Sequence, residues 1–280
     1  MFYLLKCFIQ MKILINNNDL NEALFSVTKL GYVPTMGGLH KGHISLIKSS
    51  LKLCNKTIVS IFVNPTQFNS QKDFLRYPRN KKLDLSILKK LGVNYVFIPN
   101  EKDIYGIKRK SKIKLKKKDK VLCAKFRKGH FEGVIDVMDR LTKLIKPKKI
   151  FMGEKDYQQL HLVKEYIEKN YESKIIPCRT IRDNNNLALS SRNILLNKTE
   201  LIKAGKLASN IINFRKNIRK KKNLKKIIIL KRKELEKEFN ISIEYFELRN
   251  KFNLNKSNEI KNSKIFIAYY LNEIRLIDNF

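Results

Sequence analysis

The chain has 280 residues, 43% of them hydrophobic, enough for one large or two modest domains and too apolar for a disordered tail. Lys and Arg number 60 against 25 Asp and Glu, a formal net charge of +35. Lys, Asn and Ile recur throughout, and no RNA-recognition signature accompanies them. The charge therefore reads as compositional drift that attracts anionic substrates without defining a specific nucleic-acid target.

The first ten residues, MFYLLKCFIQ, hold an apolar run broken by Lys6. It is too short to span a bilayer and lacks a small-residue cleavage site, so residues 1–10 are expected to be an extension or a misassigned start, with Met11 the more natural beginning. An ordered pattern opens at residues 12–15. Residues 19–30 place Leu20, Ala23, Leu24 and Val27 at helical spacing, with Gly31 as the stop and Tyr32-Val33 opening a strand. A helix is predicted over about 42–53, on Ile44, Leu46 and Ile47. The β-branched run TIVSIFV, residues 57–63, predicts a strand covered on both faces. A helix over 84–91 and a strand over 95–98 follow.

Residues 106–120, GIKRKSKIKLKKKDK, interrupt the pattern and predict an exposed excursion or edge strand. Val134, Val137, Met138, Leu141, Leu144 and Ile145 then form one helical face that stops before Pro147. A strand at 149–151, a helix at 158–169 and a strand at 174–176 complete an alternation that predicts an α/β fold with a doubly wound parallel sheet over residues 11–183. Residues 184–280 change character: helices at 199–217 and 223–239, then strands at 241–248, 265–270 and 274–277. The last two strands meet at Leu271-Asn272-Glu273, where Asn accepts a positive φ. This predicts a smaller C-terminal α+β domain. The cysteines Cys7, Cys54, Cys123 and Cys178 are scattered, which fits reduced thiols in a soluble cytoplasmic protein with no membrane span.

Several polar clusters fall at predicted strand ends, where open α/β sheets bind ligands. PTMGGLHKGH, residues 34–43, lies between a strand and a helix. Its glycines permit close backbone approach, and His40 and His43 at a helix start suit phosphate. Alone, the pattern also fits a structural turn. NPTQF brings Asn64 and Gln67 just past a buried strand, and a polar turn broken by Pro65 fits it as well. FRKGHFEGV offers Arg127 and His130, or merely a basic loop. GEKDYQQL, from Gly153, offers Lys155 as a point charge for phosphate and Gln159 for a carboxylate or hydroxyl; Asp156 also fits a helix cap. ALSSRN supplies Ser190, Ser191 and Arg192, suited to polyphosphate.

Together, PTMGGLHKGH, VSIFVNPTQF, RYPR, GHFEGV, FMGEKDYQQL and LALSSRN occur in the order and spacing of pantothenate synthetases, and RLIDN at residues 275–279 extends the match to the C-terminus. The chain resembles that family, within the HxGH nucleotidyltransferases. The resemblance implies a Rossmann-like domain, a C-terminal lid, a homodimer, and ATP-dependent joining of pantoate to β-alanine through pantoyl adenylate. It gives His40 and His43 the ATP phosphates and Met36 a backbone contact near the reacting groups. Lys155 would bridge the phosphates and the carboxylate, and Ser190, Ser191 and Arg192 would clamp the triphosphate. Gly153 and Asp156 fall on the nucleotide side. Gln67 and Gln159 would hold pantoate, with Asn64 beside them and Tyr77, Arg127 and His130 elsewhere in the pocket.

The family's Mg²⁺-site carboxylates lie in the helix after RYPR, where this chain has Leu83 and then Asp84, leaving Asp84 as the lone candidate ligand. Asn185-Asn186 replaces the family's Asp-Gly, and Asn keeps a left-handed turn accessible. Two other readings remain: an HxGH adenylyltransferase making a dinucleotide, and a basic nucleic-acid binder without catalysis.

Overall fold

In the computed structural model, residues 10–106, 111, 113–219 and 221–280 are described. Residues 1–9 of the expected extension, and 107–110 and 112 of the basic excursion, lie outside the described residues. Among the described residues no helix is long and apolar enough to cross a membrane.

The N-terminal unit alternates strands and helices: β1 (Lys12–Leu14), α1 (Asn17–Leu24), β2 (Leu30–Thr35), α2 (Lys41–Leu53), β3 (Lys56–Ile61), α3 (Gln71–Arg76), α4 (Lys81–Lys90), β4 (Tyr95–Phe97), α5 (Glu101–Tyr105), α6 (Cys123–Phe126), α7 (His130–Ile145), β5 (Lys149–Gly153), α8 (Tyr157–Asn170) and β6 (Lys174–Cys178). Its six strands form one parallel sheet in the order β1-β4-β3-β2-β5-β6. Both faces are covered, which is why the strands read as continuous apolar runs. Tyr32, Ile58, Phe97 and Ile150 face one core with α1, α7 and α8. Their neighbours Val33, Val59, Val96 and Phe151 face the other with α2 and α4.

Gly31 does not stop a helix. α1 ends at Leu24, and Gly31 lies inside β2, where an added Cβ would fall 2.2 Å from Ser50 Oγ. Close packing of α2 on β2 requires glycine there. The described part of the basic excursion holds a short 3₁₀ turn, Lys117–Asp119, and no strand.

The C-terminal unit comprises α9 (Lys198–Asn217), α10 (Leu224–Phe239) and the antiparallel sheet β7 (Ser242–Asn250), β8 (Ser263–Leu271) and β9 (Ile274–Asn279). Strand alternation divides its sheet between two cores. Phe246, Leu248, Ile265 and Ile267 pack on α9 and α10, while Tyr245, Phe266 and Ala268 pack on Leu122, Phe131, Ile135 and Leu162 of the first unit. Asn272 turns the β8–β9 hairpin at φ +50°, as its sequence predicts.

Candidate active site

The chain leaves β2 for β3 on one side, while β5 docks later on the other. The segments after β2 and β5 therefore meet at a switch point of the sheet, where such folds hold ligands. A cavity of about 660 Å³ opens there, a size suited to a small organic ligand. All the site residues expected from sequence line it except Asp84.

After β2, Gly37 and Gly38 take φ +78° and +61°, a conformation that favours glycine. His40 then caps α2. Its Nδ1 accepts from Gly42 N at 3.1 Å, and His43 Nδ1 accepts from His40 N at 3.3 Å, so two imidazoles form a reciprocal capping box. An accepting Nδ1 carries no proton, so each neutral ring keeps its hydrogen on Nε2, away from its own helix. Burial, reinforced by Lys155, lowers His40 to about 4. Burial and the adjacent His40 lower His43 to about 3. Two neutral Nε2–H donors thus stand at the positive end of α2.

Asp84, in α4, holds the same loop but does not line the cavity. It is 1% exposed, and its two oxygens accept from Gly38 N at 3.0 Å and Leu39 N at 2.8 Å. Neighbouring Leu83 is exposed, and among the described residues no three His, Cys, Asp or Glu side chains group as a metal site. These residues do not fit a protein-built Mg²⁺ site; the carboxylate expected as a ligand is a clasp on the glycine loop.

The NPTQF turn follows β3. Asn64 is buried, and its Oδ1 receives Tyr105 OH at 2.6 Å, Thr66 Oγ1 at 3.0 Å and Thr66 N at 3.2 Å, while Nδ2 donates to Gly133 O at 3.2 Å. These bonds anchor the turn from within, and Asn64 also lines the cavity. α7 approaches so closely that a Cβ on Gly133 would lie 2.5 Å from Thr66 O. Gln67, at the end of the turn, donates to Met36 Sδ. Its carbonyl accepts from His130 Nδ1 at 2.6 Å and Arg127 at 3.3 Å, and Arg127 also meets His130 Nε2 at 2.9 Å. With Nδ1 donating and Nε2 accepting, His130 is neutral; burial, then the Arg127 charge, lower it to about 3. Arg127 and His130 thus hold Gln67 in place.

After β5, the 3₁₀ turn Glu154–Asp156 carries Lys155, whose Nζ lies 3.2 Å from Asp156 Oδ1. Partial burial opposes the charge of Asp156, but Lys155, Arg192 and His43 outweigh it and hold the carboxyl below its usual range. Gln159 lies one helical step further, in α8. Its neighbour Gln158 is buried and donates to Val121 O at 2.7 Å and Asp119 O at 3.2 Å, tying down the end of the basic excursion.

The Ser-Ser-Arg segment reaches the cavity from the far side. Ser191 Oγ donates to Gly38 O at 3.1 Å, joining it to the glycine loop, and Ser190 Oγ accepts from Arg192 N at 3.3 Å. Arg192 forms a salt bridge with Asp73 of α3, at 2.9 Å, and lies over the Tyr77 ring at 5.5 Å. The preceding turn has Asn186 at φ +69°, so Asn does supply the left-handed residue. Sequence reasoning missed Asp73, Arg182 and the roles of Asp278 and Asn279. RLIDN was the only signal for the last two.

A doubly wound sheet with two capping histidines, a lysine turn and a Ser-Ser-Arg segment around one cavity defines a nucleotide-binding α/β enzyme. The chain belongs to the pantoate–β-alanine ligase family: the family model described as Pantoate-beta-alanine ligase matches residues 12–280. It is 40% identical to the pantothenate synthetase of Azobacteroides pseudotrichonymphae genomovar. CFP2 over 93% of this chain and 96% of that one. It is also 40% identical to the pantothenate synthetase of Helicobacter acinonychis (strain Sheeba), over 96% and 99%. The crystal structure of pantothenate synthetase from Thermus thermophilus superposes with TM-score 0.89 at 28% identity, covering 96% of this chain and 99% of that one. A pantoate–β-alanine ligase from Francisella tularensis, solved with β-γ ATP and β-alanine, gives TM-score 0.82 at 36% identity over 97% of each chain. The chain is accordingly a ligase of pantothenate biosynthesis.

Proposed function

We propose that this ligase activates pantoate as pantoyl adenylate and then passes the acyl group to β-alanine. A carboxylate does not acylate an amine unaided, because oxide is a poor leaving group. ATP removes that obstacle. A pantoate carboxylate oxygen attacks the α-phosphorus and pyrophosphate departs. The β-alanine nitrogen then attacks the acyl carbon, loses a proton, and AMP departs. The observation that carries this reading is the pair of neutral His40 and His43 donors lining the same cavity as Lys155.

The imidazole Nε2–H groups donate to phosphoryl oxygens without adding charge to a buried site, and Lys155 balances the charge that develops at phosphorus. Ser190, Ser191 and Arg192 hold the triphosphate, with Met36, Gly153 and Asp156 on the nucleotide side. Gln67 and Gln159 hold pantoate, which orients its carboxylate for attack. Mg²⁺ would be carried chiefly by the nucleotide, since the described residues around the cavity do not build a site for it. Residues 184–280 act as a lid over the 11–183 unit and shield the adenylate from water. The ligase works as a cytoplasmic homodimer.

Isotope transfer tests the reaction. With ¹⁸O in the pantoate carboxylate, one label should appear in AMP. Unlabelled AMP, or ADP with phosphate as the products, would contradict the reading.

A further inference from the structure

RLIDN, residues 275–279, lies far in sequence from the Lys155 turn, yet Asn279 reaches it. Asn279 is 4% exposed. Its Nδ2 donates to Glu154 O and Lys155 O, both at 2.8 Å, and its Oδ1 accepts from Lys264 Nζ at 2.9 Å. Both amide hydrogens and the amide oxygen are therefore engaged. Asn279 is fixed in turn. Arg182 pairs with both oxygens of Asp278, at 2.6 and 2.9 Å, and donates to Asn279 O at 3.2 Å. The Asp278 carboxylate also accepts from Asn279 N at 2.7 Å.

The two carbonyls belong to the peptide planes on either side of the Lys155 Cα. Each plane is rigid, so holding both fixes φ and ψ of Lys155 and hence the direction of its Cα–Cβ bond. A lysine stem has four rotatable bonds and gains aim only where its base is held. We propose that Asn279 is a positioning residue for Lys155, through which the C-terminal unit directs the ammonium group during adenylation. The unit that closes the cavity thus also sets the turn that reacts there. The inference rests on the role given to Lys155 under the proposed function.

A double-mutant cycle tests it, with pyrophosphate release measured in a single turnover at saturating ATP and pantoate for Lys155→Ala, Asn279→Ala and the double variant. Asn279→Ala should slow release roughly tenfold to a hundredfold, as small misplacements do. The double variant should be no slower than Lys155→Ala alone, because an unaimed lysine that is already absent cannot be lost twice. A thermal melt accompanies each variant. Should Asn279→Ala not fold, the isosteric Asn279→Asp takes its place in the cycle, since a carboxylate cannot donate to two carbonyls. Multiplying losses in the double variant, or wild-type release from the Asn279 variant beside a slow Lys155→Ala, would overturn the inference alone. Wild-type release from Lys155→Ala would instead overturn the role of Lys155 on which it rests.

Discussion

Asp84 accepts the backbone N–H of Leu39 at 2.8 Å across 45 residues of sequence. Its second oxygen takes Gly38 N at 3.0 Å, so one buried carboxylate shapes the backbone that delivers His40 and His43. Asp84→Asn turns an amide NH₂ toward one of those N–H groups and leaves it unpaired. It should cost about 1–3 kcal/mol in denaturant unfolding. The Mg²⁺ concentration for half-maximal activity should stay close to that of the wild type. A large rise in that concentration, with stability unchanged, would make Asp84 a metal ligand.

Gly133 and Thr66 set the approach of α7 to the NPTQF turn. Gly133→Ala should push that turn and Gln67 with it, destabilising by about 1–3 kcal/mol through overpacking. Steady-state kinetics should show a raised KM for pantoate. An unchanged KM would mean that Gln67 does not depend on this contact.

The depressed histidines give a pH signature. A His whose folded pKa lies below its unfolded value of about 6.5 binds fewer protons folded than unfolded. Its contribution is full above the unfolded pKa and is lost as pH falls toward the folded one. For His43, at about 3, that window runs downward from about pH 6.5. Comparing wild type with His43→Asn by urea unfolding cancels the titrating groups that do not interact with His43. The wild-type slope of stability against pH near 5 should be steeper by up to about 1.4 kcal/mol per pH unit. Equal slopes would mean that His43 takes up a proton freely in the folded state.

Arg192 spans Asp73 and the Tyr77 ring with a planar fork that lysine does not reproduce. Arg192→Lys should fold normally and bind ATP about tenfold more weakly, a loss of about 1.4 kcal/mol. Titration calorimetry with ATP would show it. Wild-type affinity would remove Arg192 from the triphosphate clamp.

The parts of this fold with a local signature were legible in the sequence. The two-sided core of β3 shows in TIVSIFV, α7 in its apolar face, and the β8–β9 turn in Asn272. The cavity-lining segments that follow β2, β3 and β5 were legible as well, because each sits directly after a strand. Gly31 misled because a glycine that admits Ser50 looks, in one dimension, like a glycine that ends a helix. Asn64 was legible as a site residue, but its bonds to Thr66, Tyr105 and Gly133 were not. Arg192 meets Asp73 across 119 residues, and Asn279 meets Lys155 across 124. Nothing in the local pattern of either partner signals the other.

Under the proposed function, adenylation occurs in this cavity before β-alanine takes part, with Lys155 supplying charge. It is tested most directly by mixing enzyme in excess over pantoate with Mg²⁺ and ATP, without β-alanine, and following pyrophosphate. The wild type should release one pyrophosphate per pantoate in a single fast phase. Lys155→Ala should slow that phase by a factor of about 10²–10³, as loss of one transition-state donor does, whereas Gln159→Ala should mainly raise the enzyme concentration needed to reach the full rate. Release of pyrophosphate only after β-alanine is added would exclude a prior adenylation, and release at the wild-type rate from Lys155→Ala would remove Lys155 from it.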